Sequence, residues 1–353
     1  MRRICNAAKA SLLPLIVVVG LGLGAQSLPA CSIPVFRYAL DRWPADRYRL
    51  EISAPDAKDE GVARFLRNFT DSTPLNLDPV RVAEEGPSHL HFPHLGPGAT
   101  PAWTGALDAG ALPQITDSPV RAELTRRILA GETVVWLLAE SGQHEADAAA
   151  ARALEKRLRY LEQAAQLPAI DPNDPSSQLG PGPALGVKFS LIRIRHDEPA
   201  EQLFLKMLAG PKADPALANG PWFAAVFGRG RVLGAWPAPG FGDEQIDEVS
   251  LFMIGACSCE VKRMNPGWDL LLNVDWDGEL AKAEQARLAA PVAAGEAPPV
   301  RAMVVKPETV TFTPATVASV PVAPPPPNHR PLLLAAAVFV VAAFFIGNRR
   351  RSQ

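Results

Sequence analysis

Cysteine and recognisable catalytic motifs are both scarce in this chain. Four cysteines occur among 353 residues, too few for a dense disulfide framework. The glycines fit no dinucleotide-binding or phosphate-binding spacing, and no Gly-x-Ser-x-Gly, zinc-protease or kinase motif is present, so enzyme classes with these signatures are disfavoured. The formal net charge of −2 gives no argument for nucleic-acid binding. We therefore expect a protein without its own catalysis.

The two ends of the chain hold much of its apolar content, and the first end predicts export. Arg2, Arg3 and Lys9 precede an apolar run over residues 12–25, the order typical of a secretory signal. An uncleaved anchor is disfavoured because this run is short and is interrupted by proline and glycines. We expect residues 1–30 to be a signal peptide.

The C-terminal end predicts a membrane anchor. Residues 332–346 are unbroken apolar sequence within the segment 331–348, which precedes a basic tail, 349–353, and follows a Pro-rich segment, 291–330. The stretch predicts a transmembrane helix, the arginines favour the cytoplasmic side, and the Pro-rich segment is typical of an extended tether. The rest of the chain is thus expected outside the cytoplasmic membrane, in the periplasmic or extracellular space.

Apolar periodicity between these ends predicts an α/β fold built from two halves. The N-terminal half covers residues 31–170, the second covers 187–290, and a stretch rich in Asp, Asn, Pro, Ser and Gly links them at 171–186. The pattern leaves open whether the halves share one sheet or form two packed domains. No internal repeat is evident in the sequence.

The second half has the clearer pattern. A strand at Phe189–Ile194, a helix, and a hairpin around Gly228-Arg229-Gly230 are predicted, followed by another helix and a closing strand over 269–275. The run from Pro221 through this turn to Gly234, followed by a helix, resembles the carboxyl half of a thioredoxin-like fold. The resemblance as a whole extends over residues 187–276.

The resemblance implies a thioredoxin-like sandwich without its usual thiols. That family places a Cys-x-x-Cys pair at the amino end of the helix after the first strand. The matching positions are His196, Asp197, Glu198 and Pro199. We therefore expect no thiol chemistry at this place.

A wider resemblance rests on three motifs. Cys31-Ser-Ile-Pro-Val-Phe-Arg-Tyr-Ala-Leu40, Cys257-Ser-Cys259-Glu-Val-Lys262 and Asn265-Pro266-Gly267 are similar to an uncharacterised family of bacterial envelope proteins. This likeness implies an envelope location and supplies no catalytic residues.

The cysteines outside the signal allow several interpretations. Cys31 ends Leu28-Pro-Ala-Cys31, which resembles a lipobox and makes this cysteine a lipidation candidate, although ordinary cleavage after Ala25-Gln-Ser27 competes. A free Cys31 could bridge to Cys257 or Cys259 as a structural disulfide, the interpretation we favour. Alternatively, Cys257 and Cys259 exchange disulfides as a redox pair, or bind Cu(I) with Cys31 as a third ligand.

Three histidines form a second candidate site. His89, His91 and His94 lie in Ser88-His-Leu-His-Phe-Pro-His94, and in a strand the first two would share a face, a workable metal-ligand geometry. No acidic residue or cysteine follows at a diagnostic spacing. We favour solvated histidines along the edge of a strand over a metal site.

Basic residues at the end of a predicted strand form the third candidate site. Arg193, Arg195 and His196 lead from a strand into a helix, a place where α/β folds often bind anions. Arg229 and Arg231 of the hairpin could join them. Solvated arginines are the simpler interpretation.

These features together predict a membrane-anchored, extracytoplasmic binding or assembly module that acts on a protein partner in the envelope. The alternative is an envelope thiol-redox or copper-handling protein that uses Cys257 and Cys259 with Cys31.

Overall fold

The computed structural model describes residues 32–95, 98–171, 173–257 and 261–289. The predicted signal peptide, tether, transmembrane helix and basic tail lie outside these ranges. The described residues have a mixed α/β fold with two mixed sheets, which confirms the predicted class. No helix within these ranges is long and apolar enough to cross a membrane.

Eight α-helices surround the sheets in the described part of the chain. They are α1 (Val35–Arg42), α2 (Glu60–Asn68), α3 (Ala111–Thr116), α4 (Pro119–Leu129), α5 (His144–Ala164), α6 (Gln202–Ala209), α7 (Asp243–Ile254) and α8 (Trp276–Ala289). The spacing of Leu154, Leu158 and Leu161 in the sequence predicts that they share one face of a long helix, and all three are buried on α5.

The first sheet has four strands in the order β2-β1-β3-β4. These are β1 (Tyr48–Ile52), β2 (Leu77–Arg81), β3 (Ser88–His91) and β4 (Trp103–Gly105). Strands β1 and β2 are parallel, and helix α2 makes the crossover between them. Asp59 caps this helix, because its carboxylate accepts the N–H groups of Gly61 and Val62 at 2.9 and 3.0 Å.

The second sheet has five strands in the order β6-β5-β7-β8-β9. These are β5 (Val134–Ala139), β6 (Phe189–Ile194), β7 (Trp222–Phe227), β8 (Arg231–Pro237) and β9 (Trp268–Asp269). Strands β5 and β6 are parallel with α5 between them, and β5 also pairs with β7 in antiparallel fashion. The sheet therefore takes strands from both sides of the predicted linker at 171–186.

The two sheets share one connectivity. In each, the first strand leads through a helix to a parallel second strand, the third strand pairs antiparallel with the first, and the fourth pairs antiparallel with the third. A Gly-Pro pair, Gly86-Pro87 or Gly220-Pro221, directly precedes each third strand. The two sheets therefore repeat one topology, although the sequence shows no internal repeat.

The five-stranded sheet separates two hydrophobic cores. Val135 and Leu137 of β5 face a core that also contains Leu50 of the first sheet. Trp136 and Leu138 face the other core, which is covered by α1, α5 and α7. Every residue of β5 is buried, as expected for a central strand covered on both faces.

The predicted closing strand over 269–275 is wrong in extent. Pairing with β8 ends at Asp269 because the following residues turn to the first sheet instead. The N–H of Leu272 donates to the side-chain oxygen of Asn76 at 2.7 Å, and Leu75 forms a bridge with Asn273. A polar side chain thus redirects the backbone hydrogen bonds of this segment.

The predicted linker is fastened to helix α1. Arg37 is buried, and its guanidinium donates to the carbonyl oxygens of Gly180 and Pro183 at 2.6 and 2.7 Å. Its Nε lies 2.8 Å from Asp41, which is also buried. These contacts satisfy linker carbonyls that a short loop leaves unpaired.

Candidate functional site

The carboxyl ends of β5 and β6 lie side by side because the strands are parallel neighbours. We call residues 140–147 and 193–197 the strand-end site. Arg193 pairs with Glu140 across the two strands at 2.6 Å, and Arg195 pairs with Asp197 at 2.8 Å. In an α/β sheet this edge is the usual position of a binding site.

The loop after β5 is held by one buried carboxylate. Asp147 is 2% exposed and accepts the N–H and hydroxyl of Ser141, both at 2.9 Å, and the N–H of Gly142 at 3.0 Å. These charge-assisted bonds fix the entry to helix α5. The positions before and at the first helical residue, Gln143 and His144, are exposed.

Glycine is required at position 142. Its φ is +85°, a conformation that residues with a side chain rarely adopt. A Cβ there would lie 2.6 Å from Cε1 of His196, so the imidazole covers the loop. His196 thereby belongs to the strand-end site together with the β5 loop.

The structure thus brings Arg193, Arg195 and His196 to one edge of the sheet, as the sequence predicted. Both guanidinium groups already engage carboxylates, however. The hydrogen bonds that Arg195 donates to Asp197 lower the pKa of Asp197 and raise the pKa of Arg195. The anion-binding role of these residues stays a prediction.

Arg229 and Arg231 do not join this site, and that part of the hypothesis is wrong. Because β7 is antiparallel to β5, the turn between β7 and β8 lies at the opposite end of the sheet. Arg229 instead donates to the carbonyl of Leu40 at 2.8 Å and pairs with Asp277.

The positions expected for the paired thiols also change. The first strand of the five-stranded sheet is β5 rather than β6, so the helix after the first strand is α5. Its amino end carries Ser141, Gly142, Gln143 and His144 instead of the predicted positions 196–199. Cysteine is absent from both segments.

The three histidines have separate partners. His89 and His91 share a face with ring centroids 6.0 Å apart, as predicted, but His89 contacts Thr104 at 2.9 Å and His91 contacts Glu51 at 3.1 Å. His94 lies 3.2 Å from Asp46. Strand β3 lies between β1 and β4 in the sheet.

The metal hypothesis gains no geometric support at these histidines. Across the described ranges, no group of three or more His, Cys, Asp or Glu side chains is arranged to hold a metal ion. Cys31 and Cys259 lie outside those ranges, so the Cu(I) hypothesis stays a prediction.

Cys257 is buried at the end of the segment that follows α7. It is 1% exposed, and its N–H donates to the carbonyl of Ile33 at 2.9 Å. Pro34 and Ala256 form an antiparallel bridge beside it. The start of the described chain therefore runs next to the cysteine segment, while Cys31 and Cys259 themselves lie outside the described residues.

A buried charge cluster was missed by the sequence analysis. Asp269 pairs with Arg231 at 3.0 Å and with Lys262, while Lys262 pairs with Asp46 at 3.0 Å. Arg231 also donates to the carbonyls of residues 265, 266 and 267, the Asn-Pro-Gly motif. This motif therefore holds a buried guanidinium, for which the sequence contained no local signal.

Comparison with known proteins adds no family. No protein-family model matches the chain, and no curated protein matches it significantly. Function must therefore be argued from the fold and from the site.

Proposed function

We propose that the chain is a membrane-anchored, extracytoplasmic thioredoxin-like module that binds or assembles a protein partner and performs no catalysis of its own. One observation carries this proposal. In the five-stranded sheet, the positions that thioredoxin-like proteins give to paired thiols are occupied by Ser141, Gly142, Gln143 and His144. A thiolate nucleophile is thus missing where that fold performs exchange.

The rigid support of these residues favours binding. Asp147 fixes the β5 loop through three hydrogen bonds, and Gln143 and His144 project from the amino end of a long helix. Groups held on regular elements present a partner with a preformed surface, which lowers the entropic cost of association. The signal peptide and C-terminal anchor, which remain proposals, would hold this surface at the outer side of the cytoplasmic membrane.

Site-specific crosslinking in native membranes tests the binding role. We expect a photo-crosslinking amino acid in place of Gln143 to capture one discrete protein partner. The matched control replaces Lys212, which is exposed after α6 at the opposite end of the sheet. Identical adducts from both positions, or none from position 143, would contradict the proposal.

A thiol assay distinguishes the proposed binding function from the thiol-redox and copper-handling alternative. The full chain is expected to show no turnover of a dithiol–disulfide substrate, and the double variant C257S/C259S is expected to keep its crosslinked partner. Turnover that disappears in this variant while the fold is retained would favour the thiol-redox function. Copper that copurifies with the wild-type chain and is lost in the variant would favour metal handling.

A further inference from the structure

A cleft outside the strand-end site is lined by a buried arginine whose hydrogen-bonding capacity is only partly used. It has a volume of about 410 Å³ and lies between α4 and the chain that leads into α8. Asp117, Arg121, Arg126, Asp275 and Glu279 supply its charged lining. Pockets of this size are typical of small-molecule sites.

Arg121 is the buried charge of this cleft. It is 2% exposed, and its Nη1 donates to the carbonyl of Ile115 at 2.6 Å. Nε and Nη2 have no hydrogen-bond partner among the described residues. Burial lowers the pKa of Arg121 to about 10, so the guanidinium is still charged at neutral pH.

The two free nitrogens define the chemistry of a ligand. Nε and Nη2 form one edge of the planar guanidinium, and such an edge binds the two oxygens of a carboxylate in parallel. A buried donor without a partner is costly, so a ligand that pairs with it gains more than at an exposed arginine. Both nitrogens are covered in the ligand-free structure, so a carboxylate can reach them only if lining side chains move.

The rest of the lining is complementary to a cation. Arg126 is already paired with Glu123 at 2.7 Å, and Glu279 is paired with Lys282 at 2.6 Å. Asp117 and Asp275 are exposed and use Oδ1 for the backbone N–H groups of Ser118 and Gly278. Among the described residues no hydrogen bond reaches their Oδ2 atoms, so these atoms can pair with a positively charged group.

We propose that this cleft binds an amino-acid-sized zwitterion. Its carboxylate pairs with Nε and Nη2 of Arg121, and its ammonium group faces Asp117 and Asp275. The site is separate from the strand-end site and does not depend on the binding function proposed above.

Calorimetric titration of the full chain with L-alanine, L-glutamate and L-lysine tests this site, with acetate and ethylamine as single-charge probes. We expect saturable binding of at least one zwitterion that exceeds binding of either single-charge probe. R121K keeps the charge but loses the planar edge, so affinity should fall about ten- to hundredfold. Equal binding of acetate and the amino acids, or no binding of any probe, would overturn the proposal.

Substitutions at two exposed residues test the site even if R121K fails to fold. D117N and D275N retain the Oδ1 acceptor but lose the charge, and each should weaken binding roughly two- to fivefold. D108N is the matched control, because Asp108 also accepts backbone N–H groups through Oδ1 but lies outside the cleft. Unchanged affinity in both cleft variants would overturn the assignment, and so would an equal loss in D108N.

Discussion

The carboxylate of Asp269 lies 3.0 Å from Nη1 of Arg231, and both side chains are buried, at 2% and 6% exposure. The same carboxylate accepts the N–H of Asp46 at 2.7 Å and contacts Lys262. Asp46 leads directly into β1, whereas Arg231 begins β8. One buried carboxylate therefore joins the chain entering the first sheet to the second sheet.

Removal of this carboxylate should destabilise the protein strongly. In D269A the guanidinium of Arg231 loses its buried counter-charge, so the free energy of unfolding should fall by about 3–5 kcal/mol. Urea denaturation followed by tryptophan fluorescence measures the change. D277N is the control, because Asp277 pairs with Arg229 but is 84% exposed, and it should cost less than about 1 kcal/mol. Equal effects of the two variants would contradict this role for Asp269.

The conformation of Gly142 makes a second prediction. Alanine at this position has to adopt φ near +85° and meets the ring of His196, so G142A should lose about 1–3 kcal/mol of stability. His196 is exposed and can rotate away, so the double variant G142A/H196A should recover only the steric part of the loss. Thermal unfolding of both variants measures these two contributions.

The control for this substitution is G186A. Gly186 has open space around the position of a Cβ and lacks the left-handed conformation, so its replacement should change stability by less than about 0.5 kcal/mol. A G142A variant as stable as G186A would show that the β5 loop relaxes freely.

Local patterns in the sequence predicted individual elements well. The apolar run at β6, the leucine spacing of α5, and the glycine turn between β7 and β8 all occur as the sequence predicts. Each depends on residues close in the chain, where period and turn chemistry decide the backbone conformation. The presence of these elements could therefore be predicted from the sequence.

The pairing of the strands could not be predicted from local patterns in the sequence. The continuous apolar run indicates that β5 is buried on both faces, but it does not show that β6 lies on one side and β7 on the other. The sequence analysis assigned β6 as the first strand of the sheet, and residues 196–199 were therefore matched to the thiol positions of the thioredoxin-like fold. In the observed sheet the first strand is β5, so the matching residues are 141–144. That error followed from a partner that is distant in sequence.

The shared connectivity of the two sheets was hidden for a related reason. Topology depends on where the strands pair, whereas the side chains that cover each sheet differ completely. The Gly-Pro pairs before β3 and β7 were a usable signal, but such dipeptides are common in turns. The cluster around Asp269 had no local signal, because Asp46 and Asp269 meet only in the folded chain.

Glu123 on α4 provides a prediction about pH. Hydrogen bonds from Arg126 and Arg127 lower its pKa from 4.5 to about 2. The folded protein thus holds this proton less tightly than the unfolded chain, so the contribution of Glu123 to stability is present above pH 4.5 and is lost as the pH falls toward 2. Carboxyl NMR titration should find its midpoint near the lower value.

Matched arginine variants test the cause of this shift. R127Q removes one of the two hydrogen-bond donors, so the pKa of Glu123 should rise toward its ordinary value. R152Q removes an exposed arginine from α5 and should leave the titration unchanged. A midpoint that is the same in R127Q and in the wild type would contradict the assigned cause.

The chain around Cys257 supports the structural bridge among the interpretations of the cysteines. Ile33 and Pro34 are hydrogen-bonded or bridged to Cys257 and Ala256, so the first described residues of the chain lie beside the segment that leads to Cys257. We expect non-reducing peptide mapping of the mature protein to find Cys31 linked to Cys257 or Cys259. Such a bridge closes a long loop, so C31S should lower the free energy of unfolding by about 2–4 kcal/mol.

C5S is the control for this substitution, because the mature chain should lack Cys5 and keep the same mass and stability. A lipid on Cys31, or a bridge between Cys257 and Cys259 alone, would exclude this link, because either one uses a sulfur atom that the bridge requires.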